Sequence, residues 1–229
     1  MRLILLATVF LSGGALMSLE MVSFRLVEPF YGSDITVWGS LISVFLGGLA
    51  MGAIVGGALA DHRPRLWKLA SIIAAGGVVT LALTLYAAPL MDALFPKLDM
   101  SASPHAGPAS AEDSADHLVV ITPTADLKWP TLLVSLILFG PPTLLLGMVS
   151  PYAARLYVHG MADVGTDVGR LYGISTIGSI IGTLGTAFYL ISWLGTRALL
   201  EGNGELLVGL GAVLVAIDVL VGKLRRAAT

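Results

Sequence analysis

An all-α integral membrane protein is the fold class this chain predicts, on three observations. Of its 229 residues, 56% are hydrophobic and only 12% charged, with a mean hydropathy of +0.88, more apolar character than a soluble domain of this length needs for its core. The apolar residues gather in six stretches, at residues 2–27, 35–60, 66–90, 129–158, 168–194 and 206–222. Each approaches the roughly 20 residues that cross a hydrocarbon layer of about 30 Å, and a lone segment in lipid must satisfy its own backbone, which selects helices. Third, Arg2, Arg63, Arg65, Lys68, Arg155, Arg170, Lys223, Arg225 and Arg226 all fall on one side of an alternating six-span arrangement. The excess of basic residues marks that side as cytoplasmic and puts both termini there.

The opening "MRLILLATVFLSGG" has the basic start and apolar run of a signal peptide but no small-x-small cleavage site before Glu20, so it reads as the first span. Glu20 lies in the outer part of that span, where an ionisable side chain is a functional candidate by default. Arg25 and Glu28, three residues apart, can pair on one helix face, whereas Glu20 and Arg25 stand about 140° apart around the axis. Glu20 therefore needs a partner from another helix, or water. In the following turn, "EPFYGSDITVWGS", Pro29 and Gly32 break the chain and Ser33 or Asp34 can cap the second helix. Trp38 and Trp129 suit an aromatic belt at the outer interface and Trp67 the inner one.

The second span, "GSLISVFLGGLAMGAIVGGALADHRPR", carries Gly48, Gly52, Gly56 and Ala60 every four residues, and Gly39, Ser43 and Gly47 make a second row. Another backbone can approach such a face closely. The fifth span repeats the device with Ser175, Ser179 and Thr183 beside Gly178, Gly182 and Thr186, so the two are expected to pack together or against equivalent partners. Asp61 ends the second span at a helix C-terminus, where the dipole disfavours a carboxylate unless a cation compensates it, and Arg63 and Arg65 are the nearest cations.

Between the third and fourth spans, residues 91–128 are rich in Ser, Ala, Pro and acids and read as a flexible extracytoplasmic loop. His105 and His117 with Glu112, Asp113 and Asp116 are metal-ligating residue types, but no helical or hairpin spacing frames them, and no metal is expected. The fourth span, "FGPPTLLLGMVSPYAARLY", contains Pro141 and Pro142, which predict a kink or break near mid-membrane, and Pro151, which loosens it again. Ser150, Tyr152 and Arg155 follow on the cytoplasmic side, and Arg170 opens the fifth span; the two arginines suit topology anchoring, lipid phosphates or a cytoplasmic gate. "GNGE" at residues 202–205 reads as punctuation between the fifth and sixth spans.

With no cysteine there is neither a disulfide nor a thiolate nucleophile, and no HExxH, nucleophile elbow or G-x-G-x-x-G loop after a strand is present. No catalytic residue, cofactor or nucleic-acid partner is expected. The stretch containing Gly57, Asp61, Arg63 and Arg65 resembles the loop between the second and third helices of the major facilitator superfamily, and "GRLYGISTIGSIIGT" is similar to its fifth helix. Read together, "SGGALMSLEMVSFRLVEPFYGSDITVWGSLISVFLGGLAMG", "LGMVSPYAARL" and "GRLYGISTIGSIIGTLGTAF" resemble the membrane domain of bacterial spermidine synthase-like proteins, the fusions of a facilitator-like and a spermidine synthase part.

The resemblance covers residues 12–66 and 144–195 and implies one transmembrane domain over 1–229, a bundle like half of a facilitator, in the bacterial inner membrane. It also implies polyamine chemistry, for which Glu20, Glu28 and Asp34 with Trp38 could form a cation cage, but the soluble aminopropyltransferase part has no counterpart here, so that activity would need a separate chain. Two function classes follow as expectations. One is a non-catalytic membrane module that anchors or assists a soluble transferase or a larger membrane complex; the other is a small facilitator-like transporter of a cation or polyamine, working as a homodimer.

Overall fold

The computed structural model describes residues 1–62, 64–94, 128–158 and 164–227. Of these, 95% are helical and none is in a strand. Five helical stretches are long and apolar enough to cross a membrane: Arg2–Tyr31, Ile35–Asp61, Leu66–Ala93, Trp129–Tyr157 and Val164–Lys223. The proposed loop at 91–128 lies mostly outside the described residues, together with His105, Glu112, Asp113, Asp116 and His117; at its edges, helix continues to Leu94 and resumes at Lys128.

Helix α1 (Arg2–Tyr31) stops at Gly32, whose φ of 78° only glycine adopts freely, and the Gly32 N–H closes the last turn on the Glu28 carbonyl at 2.8 Å. Two residues on, the Asp34 carboxylate accepts from the Ile35 N–H at 2.7 Å and the Thr36 hydroxyl at 2.9 Å, which starts α2 (Ile35–Asp61). After α3 (Leu66–Leu94), the fourth stretch is divided into α4 (Lys128–Gly147) and α5 (Val149–Tyr157). Helix runs through Pro141 and Pro142, so the interruption expected there falls instead at Met148, and in the hydrogen-bond ladder only: Met148 keeps helical angles (φ −71°, ψ −21°) and its N–H stays on the Leu144 carbonyl at 3.3 Å. Pro151 supplies the reason: its ring would clash with the Gly147 carbonyl four residues back, whereas at the third position of a new helix its missing N–H costs nothing.

The last stretch comprises α6 (Val164–Gly185), a π-helical turn (Thr186–Leu190) and α7 (Ile191–Ala227). It is 60 residues long from Val164 to Lys223, and one residue within it, Gly195, leaves helical geometry at φ 76°, ψ 168°. Thr186 and Asn203 both donate to the Ser18 hydroxyl, at 2.8 and 2.9 Å. Seventeen residues of straight helix would hold them about 25 Å apart, so the chain folds back at Gly195. The break expected at "GNGE" is therefore corrected. Residues 202–205 lie inside α7, and Gly204 is small because it faces α3: a Cβ there would come 2.5 Å from the Leu81 side chain.

Three helix pairs dominate the packing: α1 with α6, α2 with α4 and α5, and α3 with α7. Gly178, Gly182 and Thr186 meet Phe10, Gly14 and Ser18 in the same chain order, so α1 and α6 are parallel. Gly48, Gly52 and Gly56 meet Thr143, Gly147 and Met148, again in parallel. Gly77 meets Gly204 while Ala70 and Ala74 meet Gly211, so α3 and α7 are antiparallel. The glycine-rich α2 and α6 thus face equivalent but different partners. Apolar side chains such as Leu19, Phe45, Phe139 and Leu171 fill the rest of the interior, with the rings of Phe45 and Phe139 5.9 Å apart.

The two rows of α2 differ in what a side chain would meet. A Cβ at Gly56 would lie 2.6 Å from the Met148 Cα, and Gly52 is backed by Leu144 and Gly147 backbone, while Gly39, Gly47 and Gly57 have open space. Gly52→Leu is expected to lower stability by at least about 3 kcal/mol and to disperse the particle in a detergent gel, and Gly47→Leu to leave both nearly unchanged. Equal thermal melts for the two variants would refute this assignment of faces.

Candidate functional site

The break at Met148 opens a small pocket between the α1·α6 and α2·α4 pairs. Its volume is about 290 Å³, and its polar lining comes from Ser12 of α1, Ser150 of α5, and Tyr172, Ser175 and Ser179 of α6. Gly147 and Pro151, the residues that make the break, are also in its wall, beside Leu49 and Ala53 of α2. Of the expected site residues, Ser150 and Pro151 are in this pocket; Pro141 and Pro142 are not. Ser12 was missed because a serine within an apolar run usually bonds its own backbone, and its hydroxyl does approach the Val9 carbonyl at 3.4 Å.

Charged residues gather at the end of the bundle that carries Met1 and Tyr157, called basal here. Asp61 pairs with Arg155 at 3.5 Å, so α5 supplies this carboxylate with a cation; Arg63 lies outside the described residues. Arg65 contributes its backbone: its N–H donates to the buried Tyr152 hydroxyl at 3.1 Å, which in turn donates to the Arg65 carbonyl at 3.3 Å. Arg2, absent from the expected site, pairs with Asp167 at 3.3 Å and sits 5.3 Å above the Tyr157 ring centroid, joining α1, α5 and α6. The Asp167 side chain is only 7% exposed. An aspartate four residues into a glycine-rich helix start was its sole signal in the sequence. Arg170 is exposed and has no ion pair among the described residues.

At the opposite, distal end the expected cation cage is not assembled. Trp38 stacks on Phe24 with centroids 4.0 Å apart, Arg25 pairs with Glu28 at 3.6 Å, and Asp34 is occupied as the α2 cap. The Glu20 side chain is half-buried, with no hydrogen bond or ion pair to another described residue. Among the described residues no three His, Cys, Asp or Glu side chains gather as metal ligands.

No protein-family description, curated protein or solved structure matches this chain.

Removing a partner should cost differently at the two basal ion pairs. Arg2→Met leaves the buried Asp167 carboxylate without its cation and is expected to cost on the order of 1–3 kcal/mol. Asp61→Asn breaks a pair whose members are 69% and 59% exposed, and is expected to cost below about 1 kcal/mol in a thermal melt.

Asp34 gives a pH dependence. The Thr36 hydroxyl, then the Ile35 N–H, hold its carboxyl below the ordinary aspartate value. A lowered folded value adds stability above the unfolded pKa of about 3.9 and loses it as pH falls through the folded value. Amide protection factors in the first turn of α2 should therefore drop below about pH 4 and become independent of pH there in Asp34→Ala.

Proposed function

We propose that the chain is a six-crossing membrane module of facilitator-half type that carries a small solute as a homodimer. The helical stretch Val164–Lys223, folded back at Gly195, supplies the fifth and sixth crossings. Numbering the crossings from one to six, the close pairs are 1·5 and 2·4, both parallel, and 3·6, antiparallel. Exchanging the first three for the last three converts 1·5 into 4·2 and returns 3·6 to itself, which is the relation expected of an inverted repeat. The observation that carries the transport reading is the polar pocket between the two parallel pairs, beside the helix that Pro151 weakens. A backbone carbonyl freed at membrane depth is tolerated where it lines a cavity.

The pocket's chemistry bears on the solute. Four serines and a tyrosine line it and no carboxylate does, which favours a neutral hydrogen-bonding solute of sugar or polyol type over a polyamine. The resemblance to spermidine synthase-like proteins supports a different reading, an anchor or accessory subunit for a soluble transferase. The exposed basal cations Arg65, Arg155 and Arg170 would then be its docking rim, in the bacterial inner membrane with both termini cytoplasmic.

Particle mass in mild detergent, with mass spectrometry of what co-purifies, combined with proteoliposome uptake of sugars, polyols and spermidine, separates the two. A homodimer that takes up a neutral solute and loses at least tenfold in rate with Ala53→Phe, which fills the pocket from an exposed position, supports transport. A co-purifying soluble enzyme with no uptake of any solute would replace it with the accessory role.

A further inference from the structure

A second recess lies on the membrane-facing side of the α1·α6 pair, closed by the start of α7, with a volume of about 450 Å³. Its polar and apolar parts are separated along its length. Ser18, Thr186 and Asn203 stand at its distal end, near the middle of α1; Phe10, Leu11 and Gly178 lie about 12 Å further toward the basal end along α1 and α6. Glycines 14, 178 and 182 leave the floor without side chains, and Ile181 and Leu206 border the mouth.

Asn203 makes this recess more than an apolar groove. It is 9% exposed and lines the recess, yet its carboxamide makes one hydrogen bond, from Nδ2 to Ser18. Its Oδ1 and second Nδ2–H have no partner among the described residues. A half-used amide at this depth costs free energy unless something completes it. The neighbouring turn is also irregular: Thr186–Leu190 is π-helical, a local widening that recurs at binding sites.

The charges specify the occupant further. No Asp, Glu, Lys, Arg or His side chain lines the recess. Glu20 and Glu205 stand two residues from Ser18 and Asn203, about 200° round their helices, and do not enter the recess. An anionic or a cationic headgroup would find no counter-charge inside. An adjacent free acceptor and free donor match a hydroxyl, which gives one hydrogen bond and takes another.

We propose that this recess binds a neutral, hydroxyl-bearing amphiphile, its hydroxyl on Asn203 and its chain along the glycine floor toward Phe10. The inference stands apart from the transport reading, since it concerns a lipid-side site and neither the pocket at Met148 nor the movement of a solute.

The test uses the full chain in phosphatidylcholine nanodiscs and a hexadecanol carrying a chain diazirine. Irradiation should label residues around Ile181 and Leu206, and unlabelled hexadecanol should compete. Asn203→Leu should reduce labelling roughly three- to tenfold, the worth of one to two hydrogen bonds. Leu206→Trp, at an exposed position that does not threaten folding, should block the mouth and reduce labelling as strongly. The matching diazirine palmitate and hexadecyltrimethylammonium probes should label weakly. Equal labelling of wild type and both variants, or equal labelling by the charged probes, would overturn the proposal as mere contact with bulk lipid.

Discussion

Close approach of backbone to backbone between paired helices is the contact on which the rest of this structure depends. Lipid tails are as apolar as leucine, so helices in a bilayer gain little by burying large aliphatic groups against each other; van der Waals contact at short range must hold them. Gly48, Gly52 and Gly56 bring α2 onto the broken fourth stretch, Gly178 and Gly182 bring α6 onto α1, and Gly77, Gly204 and Gly211 join α3 to α7. Each pair has its own small-residue row. The two rows in α2 and α6 set the parallel pairs, and the space between those pairs is where the polar pocket opens.

Polar groups gather beside the weak points of the helical framework. The Met148 break positions Ser150 toward Ser175 and Ser179, and the reversal at Gly195 carries Asn203 back beside Thr186 so that both meet Ser18. At the basal end, Arg2, Tyr157 and Asp167 tie three helices whose starts and ends would otherwise fray, and Asp61 with Arg155 ties α2 to α5. The first of these ion pairs is shielded and the second is exposed. Only the former has the burial that gives a charge pair appreciable weight.

Much of the helical framework was legible in advance because each signal was local. Asp34 as a cap, Arg25 with Glu28 at a three-residue spacing and the stop at Gly32 depend on neighbours within one turn, and the structure has all three. The fourth stretch was harder. Pro141 and Pro142 are stronger breakers on paper than a lone Pro151, yet the helix passes through them and loosens at Met148, where the glycine row of α2 presses on Gly147 and Met148. "GNGE" misled for the same reason: its glycine is small because α3 is near, a contact invisible along one chain segment.

By itself the sequence determined that this protein is helical and apolar enough to span a membrane, because hydropathy and length act additively along the chain. It also determined which helix faces are smooth, since a four-residue glycine period is fixed once the helix forms. Only the tertiary structure decided which smooth face meets which partner, that Trp38 stacks on Phe24 and not over carboxylates, and that Asp61 takes Arg155 as a partner. It alone brought Ser18, Thr186 and Asn203, separated by 168 and 185 residues from the first, to one point. Those choices rest on the direction the chain takes at Gly32, Met148 and Gly195, because any change of direction there is multiplied along the length of the helix that follows.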